Sequence, residues 1–396
     1  MKKVVLCEPL RTAVGGFGGS LKDYSAVELG TFVVKEILKN TAVDPMEIED
    51  CIMGNILPGS GPNPSRQISV KSGMKVETPA ITINRMCGSG LQSVVYAAQA
   101  IKAEDCSCII AGGIESMSQA PYYLNQVRWG YRMGSPKNEL IDSMISDGLW
   151  DIFNDYHMGV TAENLAEQYN ISKEQQDNFA FNSQMKTKNA LEEKIFNKQI
   201  VPIKIPQRKG DPIIFDMDEH PRPDITLEQI SKLKPAFKKD GTVTPANSSG
   251  INDGAAAVVV ASENKAKILG LTPMATIKSY ALSGVDPSIM GIGPVSAMQM
   301  ALDKAGLGLD DIDLVELNEA FAAQSLAVLS DFPIPEAKFN VNGGAIALGH
   351  PVGATGTILL VKLLHELGQR ENAKYGMVSL CIGGGMGIAM IVEKAV

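Results

Sequence analysis

Short apolar runs recur along the chain and are typical of buried strands, and stretches of helical composition separate them. Such runs cover residues 80–83, 108–111 and 252–261. An Ala-rich stretch after the first of them predicts a helix, and a long polar helix is expected between Ser172 and Lys194. This alternation predicts an α/β protein.

Two segments share one pattern, in which an acidic turn leads through an apolar stretch to an asparagine, Asn55 in one copy and Asn318 in the other. Each asparagine is followed 32 positions later by a second matched point, Cys87 in the first copy and His350 in the second. A helix-forming stretch and an apolar strand ending in glycines follow both points. A constant offset across these matches indicates a duplicated α/β unit.

The stretch between the two copies has a different composition. It contains both tryptophans, several tyrosines and Pro-rich turns. We expect an inserted subdomain that faces a substrate, and two similar sheets that pack face to face through shared helices. The predicted division is 1–117 with 250–270 as the first core, 118–249 as the insertion and 271–396 as the second core.

Composition narrows the classes of function. Of the 396 residues, 20% are charged and 45% hydrophobic, as in soluble globular proteins. A net charge of −8 gives no electrostatic support for a nucleic-acid partner, and an anionic ligand would need a local basic patch. The nearly uncharged residues 375–392 contain five glycines and predict a buried β-hairpin, not a membrane helix. We therefore expect a cytoplasmic protein that binds neither nucleic acid nor membrane.

The cysteines and histidines do not indicate a metal site. The six cysteines form no CxxC pair and there are only four histidines, so we expect no zinc cluster. Cys106 and Cys108 are predicted on one face of an apolar strand, where burial is a better interpretation than the alternative of a thiol oxidoreductase. His220 and His365 are expected at the surface.

Cys87 is a candidate nucleophile. It lies between a predicted strand and a predicted helix, and free N–H groups and the dipole at a helix N-terminus favour a thiolate. Gly88 and Gly90 would keep the approach to the sulfur clear of side chains. A buried, inert cysteine is the alternative.

His350 is the candidate base. It stands between Gly349 and Pro351, and a residue before proline is displaced from the helical region, so we expect a rigid turn before the next helix. The alternative is a structural histidine satisfied by the backbone. Because Cys87 and His350 hold equivalent places in two related units, they can meet at the pseudo-dyad as a nucleophile and its base.

Two further segments carry polar or reactive groups. Cys381 precedes a glycine-rich turn, where a second thiol and free backbone N–H groups can transfer a proton and bind an oxyanion. Such a turn is also typical of a simple tight hairpin. Asn318 emerges from an apolar strand and either orients a water or a carbonyl oxygen or caps the next helix.

These four segments resemble, nearly word for word, the active-site signatures of the thiolase family, and the resemblance covers the whole chain. It implies a duplicated αβαβα layered fold with an inserted loop subdomain. It also implies catalytic roles: Cys87 as the nucleophile that carries the acyl group, His350 as its base and a donor to the thioester oxygen, Cys381 as the base for the second substrate, Asn318 as the holder of an oxyanion-hole water, and Gly383 with Cys87 as backbone donors of a second hole.

The resemblance further implies that the insertion binds coenzyme A. The matching positions are Arg222 near the adenine and phosphates, Ser249 at the pantetheine, and His157, Met158, Phe237, Met290 and Phe321 elsewhere in the pocket. His157 as a satisfied polar residue and the two phenylalanines as simple core residues are the alternatives. Gln229 departs from the family pattern, which usually has a small polar residue near the nucleotide.

The activity implied is the condensation of two acetyl-CoA to acetoacetyl-CoA and CoA, reversible as thiolysis, with CoA as substrate or product and with neither a metal nor an organic cofactor. Residues 84–90 and 128–134 are more similar to the short-chain type. A broad-range degradative 3-ketoacyl-CoA thiolase, a decarboxylating ketoacyl synthase and a non-catalytic acyl-CoA carrier are the alternatives. Residues 126–134 resemble a loop that pairs dimers, which implies a homotetramer.

Overall fold

The computed structural model describes residues 2–134 and 139–395. A mixed sheet forms its core, with the strand order β7-β8-β9-β6-β1-β5-β4-β2-β3. Its strands are β1 Val4–Thr12, β2 Asp50–Gly54, β3 Ala80–Ile83, β4 Cys108–Ser116, β5 Asn252–Ser262, β6 Pro273–Gly284, β7 Leu314–Leu317, β8 Tyr375–Ile382 and β9 Met386–Lys394. Two short strands, Gly15–Gly16 and Ile200–Val201, pair with β5 and β1.

Helices cover the sheet, and three of them lie in the insertion. They are α1 Ala26–Thr41, α2 Pro64–Lys71, α3 Ser89–Lys102, α4 Met158–Gln168, α5 Lys173–Glu192, α6 Leu227–Ser231, α7 Glu263–Ile268, α8 Gly293–Ala305, α9 Ala322–Asp331, α10 Ala345–Leu348 and α11 Thr355–Gln369. The polar α5 matches the predicted long helix, and its N-cap Ser172 forms a capping box with Gln175.

The sheet confirms the duplication. Four neighbouring strands of the first half, β2-β4-β5-β1, have the same order as β7-β8-β9-β6 of the second half. In each half the first pair is parallel, and the remaining pairs are antiparallel. The predicted buried hairpin is β8 and β9, which pair along their whole length.

The two halves are joined in a way that the sequence analysis missed. β1 and β6 pair antiparallel, with Val5 opposite Thr276, so one continuous sheet replaces the two separate sheets expected. Each strand is the last of its four, so each offers a free edge to the other. The shared helices are confirmed, because α3 and α11 pack in one buried cluster with strands of both halves.

Two predictions about single residues were wrong. Cys106 lies before β4 and packs against the cluster around α3, whereas Cys108 belongs to the cluster beneath α1, so the two do not share a face. His365 is half-buried, and its Nε2 lies 2.9 Å from the carbonyl oxygen of Pro9. Strand β1 covers this end of the central helix α11, and His365 is therefore not a surface residue.

The insertion contains α4, α5, α6 and a small hairpin of Ile203–Ile205 with Ile213–Phe215. The three-part division of the chain stays a prediction. In the described part of the chain, no helix combines the length and apolar character needed to cross a bilayer.

A buried ion pair ties the insertion to β1. Arg11 donates to both carboxylate oxygens of Asp218, at 2.6 and 2.9 Å, and its Nε donates to Gln199 at 2.8 Å. The two charged side chains are 1% and 0% exposed. Asp218 also accepts from the backbone N–H of Val14 at 2.8 Å, which fixes the turn after β1.

Replacing Arg11 tests this anchor. Arg11→Met leaves the Asp218 carboxylate buried without its partner, so we expect a loss of about 3–5 kcal/mol in the free energy of unfolding, measured with urea. Lys232→Met is the control, because Lys232 and Glu228 form an exposed pair that contributes less than about 1 kcal/mol. Equal midpoints for the two variants would contradict the proposed anchor.

Candidate active site

Cys87 lies in a tight turn between β3 and α3. Met86, with φ 45°, has a left-handed backbone that brings the chain round, and the hydroxyl of Ser89 donates to the Met86 carbonyl at 2.7 Å. A Cβ on Gly88 would lie 2.5 Å from the Cδ1 atom of Ile382, so only glycine allows the turn to pack against the end of β8. The nucleophile candidate is therefore next to the Cys381 segment.

The expectation of an ionised Cys87 is corrected by its burial. The sulfur accepts hydrogen bonds from the backbone N–H groups of Gly383 and of Cys87 itself, which favour the thiolate. Burial is the larger effect and raises the pKa of the thiol to about 11. Cys87 is therefore a protonated thiol that needs a base.

His350 is 5% exposed, and its ring is held in one tautomer by two contacts. Its Nδ1 lies 2.7 Å from the Thr355 hydroxyl, which donates its own hydrogen to the Pro351 carbonyl at 2.9 Å. The hydroxyl must therefore accept from Nδ1–H. The amide Nδ2 of Asn318 lies 3.4 Å from Nε2, and a donor there also requires an unprotonated Nε2.

These contacts make Nε2 the proton-accepting atom. Burial lowers the pKa of His350 to about 4, so the ring is neutral at physiological pH. Asn318 follows β7 and is fully buried, and its Oδ1 accepts no hydrogen bond from the described residues. A buried amide oxygen of this kind is suited to a polar group of a ligand or to an ordered water.

Cys381 is the penultimate residue of β8 and is 1% exposed. Burial and the proximity of Cys87 raise the pKa of its thiol. The turn that follows passes through Gly384 and Gly385, with φ 84° and 85°, and its first residue Gly383 donates to the sulfur of Cys87. The two thiols and the Gly383 amide thus lie together, and the imidazole lies beside Asn318. Cys87 also packs in one cluster with Val352 of the turn that carries the imidazole.

A cavity of about 630 Å³ leads from the insertion to His350. Three rings line it: His157 stacks on Phe237 with centroids 4.7 Å apart, and Phe237 meets Phe321 edge-on at 6.1 Å. His157 Nδ1 accepts from the N–H of Gly159 and caps α4. His157 is thus a satisfied polar residue that also lines the cavity.

Methionines lie around the two thiols. Met158 and Met290 are buried in the cluster that contains Cys381 and Phe321. A Cβ on Gly383 would lie 2.9 Å from the Cε of Met158 and 3.4 Å from the Cε of Met86. Flexible apolar side chains therefore surround the space beside the two thiols.

The outer part of the cavity carries the remaining predicted residues. Arg222 is exposed at its rim and makes no ion pair with a described residue, and Ser249 is half-buried in its wall. Gln229 lies beside Arg222 on the rim, and its side chain accepts from the N–H of Thr226 to cap α6.

His220 was wrongly expected at the surface. It lines the cavity and rests on Gly250, where a Cβ would lie 2.2 Å from its Cε1. Burial and the charge of Arg222 lower its pKa. The expectation of a surface position was wrong because Gly250 has no side chain, and this leaves room for the His220 ring.

Sequence reasoning also missed three residues that hold His350. Thr355 fixes its tautomer, Asn252 Oδ1 accepts from its backbone N–H at 2.9 Å, and Glu115 accepts from the N–H of Gly353 at 3.0 Å. Glu115 and Asn252 could have been found from the sequence, because they are polar residues within the otherwise apolar strands β4 and β5. Among residues 2–134 and 139–395, no cluster of His, Cys, Asp or Glu side chains is arranged to hold a metal ion.

Comparison with known proteins agrees with this geometry. The family models "Thiolase, N-terminal domain" and "Thiolase, C-terminal domain" match residues 4–264 and 271–394. The chain is 55% identical, over the full length of both, to an acetyl-CoA acetyltransferase of Cupriavidus necator.

Solved structures agree as well. Human mitochondrial 3-ketoacyl-CoA thiolase in complex with CoA has a TM-score of 0.95 and 46% identity, with 100% of this chain and 98% of that chain covered. The Bacillus anthracis acetyl-CoA acetyltransferase has a TM-score of 0.96 and 44% identity, with 100% and 99% covered. The chain belongs to the thiolase family and is an acyltransferase of that class.

The tautomer argument predicts different effects for two substitutions of Thr355. Thr355→Val removes the acceptor of Nδ1–H, so we expect alkylation of Cys87 by iodoacetamide at neutral pH to slow by about tenfold or more. Thr355→Ser keeps the hydroxyl and should retain the rate. Peptide mass spectrometry separates Cys87 from the other thiols, and equal rates for the two variants would contradict the assignment.

Proposed function

We propose that the protein is an acetyl-CoA C-acetyltransferase, which condenses two acetyl-CoA to acetoacetyl-CoA and CoA through an acylated Cys87. One observation carries the proposal: Cys87 lies beside Cys381 and packs against Val352 of the His350 turn, and His350 lines a cavity that the insertion also lines. The Cupriavidus necator relative, named for this activity, supports the choice of substrate. CoA is substrate and product, and the chemistry requires neither a metal nor an organic cofactor.

The first half-reaction acylates Cys87. His350 Nε2 takes the thiol proton as the sulfur attacks the carbonyl carbon of acetyl-CoA. The bond to the CoA sulfur breaks, and CoA leaves with the proton from His350. The backbone N–H groups of Cys87 and Gly383 stabilise the oxyanion on one side, and His350 with a water held by Asn318 forms the second hole.

The second half-reaction forms the carbon–carbon bond. Cys381 gives its proton to His350, and the resulting thiolate takes the α-proton of a second acetyl-CoA. The carbanion attacks the acetyl carbon on Cys87, and the bond from that carbon to the sulfur breaks. His350 then returns its proton to the sulfur of Cys87, so both thiols are restored.

Binding of CoA is assigned to the cavity and its rim. The guanidinium of Arg222 has no ion pair among the described residues, and it provides local positive charge for the phosphates of CoA in an otherwise acidic protein. Ser249 and the stacked rings of His157, Phe237 and Phe321 are suited to the pantetheine, which is partly polar and partly apolar.

Chain length separates the proposal from its main alternative, a broad-range degradative 3-ketoacyl-CoA thiolase. Met158 and Met290 pack in the cluster of Cys381, and Met86 and Met158 approach Gly383, so we expect these side chains to limit the room for a longer acyl chain. The human 3-ketoacyl-CoA thiolase is 46% identical, so the fold alone does not separate the classes.

Thiolysis by the purified protein tests both points. We expect rapid cleavage of acetoacetyl-CoA and little of a long-chain 3-ketoacyl-CoA. Cys87→Ala should lower the rate by about 10³-fold or more. Cys381→Ala should still form an acetyl adduct on Cys87, detected by mass spectrometry, but fail to condense. Similar turnover of long substrates would favour the degradative class, and no turnover of either would favour a carrier.

We also infer a cytoplasmic homotetramer. The six cysteines are free thiols, as is usual in a reducing compartment. The edge strand β3 exposes Ile81, and the buried amide of Gln92 beside it has no partner among the described residues, which suits pairing with a second copy. Trp129 and Met133 are 82% and 104% exposed and support a second contact that joins dimers.

Charges on the second contact test the tetramer. The double variant Trp129→Glu/Met133→Glu is expected to elute as a dimer by light scattering, because two charges would be buried in the contact between dimers. Ile268→Glu, on an apolar residue that is also exposed, is the control and should remain a tetramer. A tetrameric double variant would show that this loop is not the contact.

A further inference from the structure

Glu115 holds the position in the first half that Cys381 holds in the second. In the first half, Glu115 lies two residues after the β4 residue that pairs with the last residue of β2. In the second half, Cys381 lies two residues after the β8 residue that pairs with the last residue of β7. A glycine is paired with each across the neighbouring strand, Gly254 with Glu115 and Gly387 with Cys381. The duplicated fold therefore offers two equivalent places, and a carboxyl group occupies one of them.

The carboxylate of Glu115 is 1% exposed and accepts from four N–H groups. Oε1 accepts from Asn55 Nδ2 at 2.6 Å and from Leu57 N at 3.2 Å. Oε2 accepts from Ile56 N at 3.1 Å and from Gly353 N at 3.0 Å. A protonated carboxyl would direct an O–H at one of these donors, so the four hydrogen bonds favour the ionised form. Burial acts in the opposite direction and raises the pKa of Glu115 to about 8.

The contact with Gly353 connects the two halves. Gly353 lies in the turn between His350 and α11, and a Cβ there would lie 2.6 Å from Glu115 Oε2, so the turn rests directly on the carboxylate. Asn252 holds the other end through the backbone N–H of His350. Two side chains of the half that carries Cys87 thus fix the turn that carries the histidine.

The charge of Glu115 does not help the nucleophile. It raises the pKa of the Cys87 thiol and so opposes formation of the thiolate. A buried charge with this effect is retained for its hydrogen bonds, because the backbone N–H groups of Ile56, Leu57 and Gly353 would otherwise be buried without an acceptor.

We propose that Glu115 is a positioning residue: it fixes the His350 turn against the Cys87 segment and exchanges no proton with the substrate. The proposal rests on the proposed function for its kinetic test. Alkylation of Cys87 provides a second test that needs no substrate.

Two substitutions of Glu115 separate the effect of side-chain length from the effect of charge. Glu115→Asp keeps the charge but withdraws the carboxylate by one methylene, and Glu115→Gln keeps the length but removes the charge and one acceptor. Both are expected to lower kcat for acetoacetyl-CoA thiolysis by about 10²-fold, because a displacement of about 1 Å has this effect. The KM for CoA should change by less than about threefold, since the cavity is untouched.

The pH dependence of Cys87 alkylation by iodoacetamide distinguishes the two variants. Glu115→Asp should slow alkylation with an unmoved midpoint, since the charge remains and only His350 is displaced. Glu115→Gln should move the midpoint to lower pH, since the group that raises the pKa of the thiol has lost its charge. Should Glu115→Gln fail to fold, the rate and kcat of Glu115→Asp still decide.

Asp313→Asn is the matched control. Its carboxylate accepts from the backbone N–H groups of Lys374 and Tyr375, at the end of β7 remote from the site, and the change should leave kcat and alkylation unaltered. A folded Glu115→Asp with wild-type kcat and alkylation would overturn the positioning role. A wild-type protein that does not cleave acetoacetyl-CoA would instead overturn the proposed function, and slowed alkylation in Glu115→Asp would still support the positioning.

Discussion

The first turns of α3 and α11 touch through their backbones, and the site depends on this contact. A Cβ on Gly90 would lie 2.9 Å from the backbone nitrogen of Thr357, and one on Gly356 would lie 2.5 Å from a backbone nitrogen of α3. The Thr357 hydroxyl also donates to the Gly90 carbonyl at 2.8 Å. Since Cys87 and His350 lie just before these turns, a side chain at either glycine would push nucleophile and base apart.

Burial at this junction sets the protonation of the pair. Burial raises the pKa of Cys87 to about 11 and lowers that of His350 to about 4, so both groups are neutral at rest. In the proposed reaction the proton moves only when the sulfur forms its bond to carbon, and the N–H groups of Cys87 and Gly383 would then face the developing charge. A neutral resting thiol is also less open to oxidation than an exposed thiolate.

The sequence was sufficient for the features that repeat or that match local rules. The equal spacing from Asn55 to Cys87 and from Asn318 to His350 predicted the duplication, and glycine or proline neighbours predicted the turns. It was insufficient where two distant segments meet. The pairing of β1 with β6 depends on which edges are left free, and the ring of His220 depends on space above Gly250. Neither leaves a local pattern.

The duplication raises the question of why the chain has one such site and not two. Each half supplies an asparagine after its second strand, and each has the place that Cys381 occupies. In the first half that place holds Glu115, to which Asn55 donates at 2.6 Å. The two side chains therefore form their hydrogen bonds with each other and with the backbone. In the second half Asn318 keeps an unpaired Oδ1 among the described residues. The first half therefore supports the site, and the second half keeps polar atoms available to a substrate.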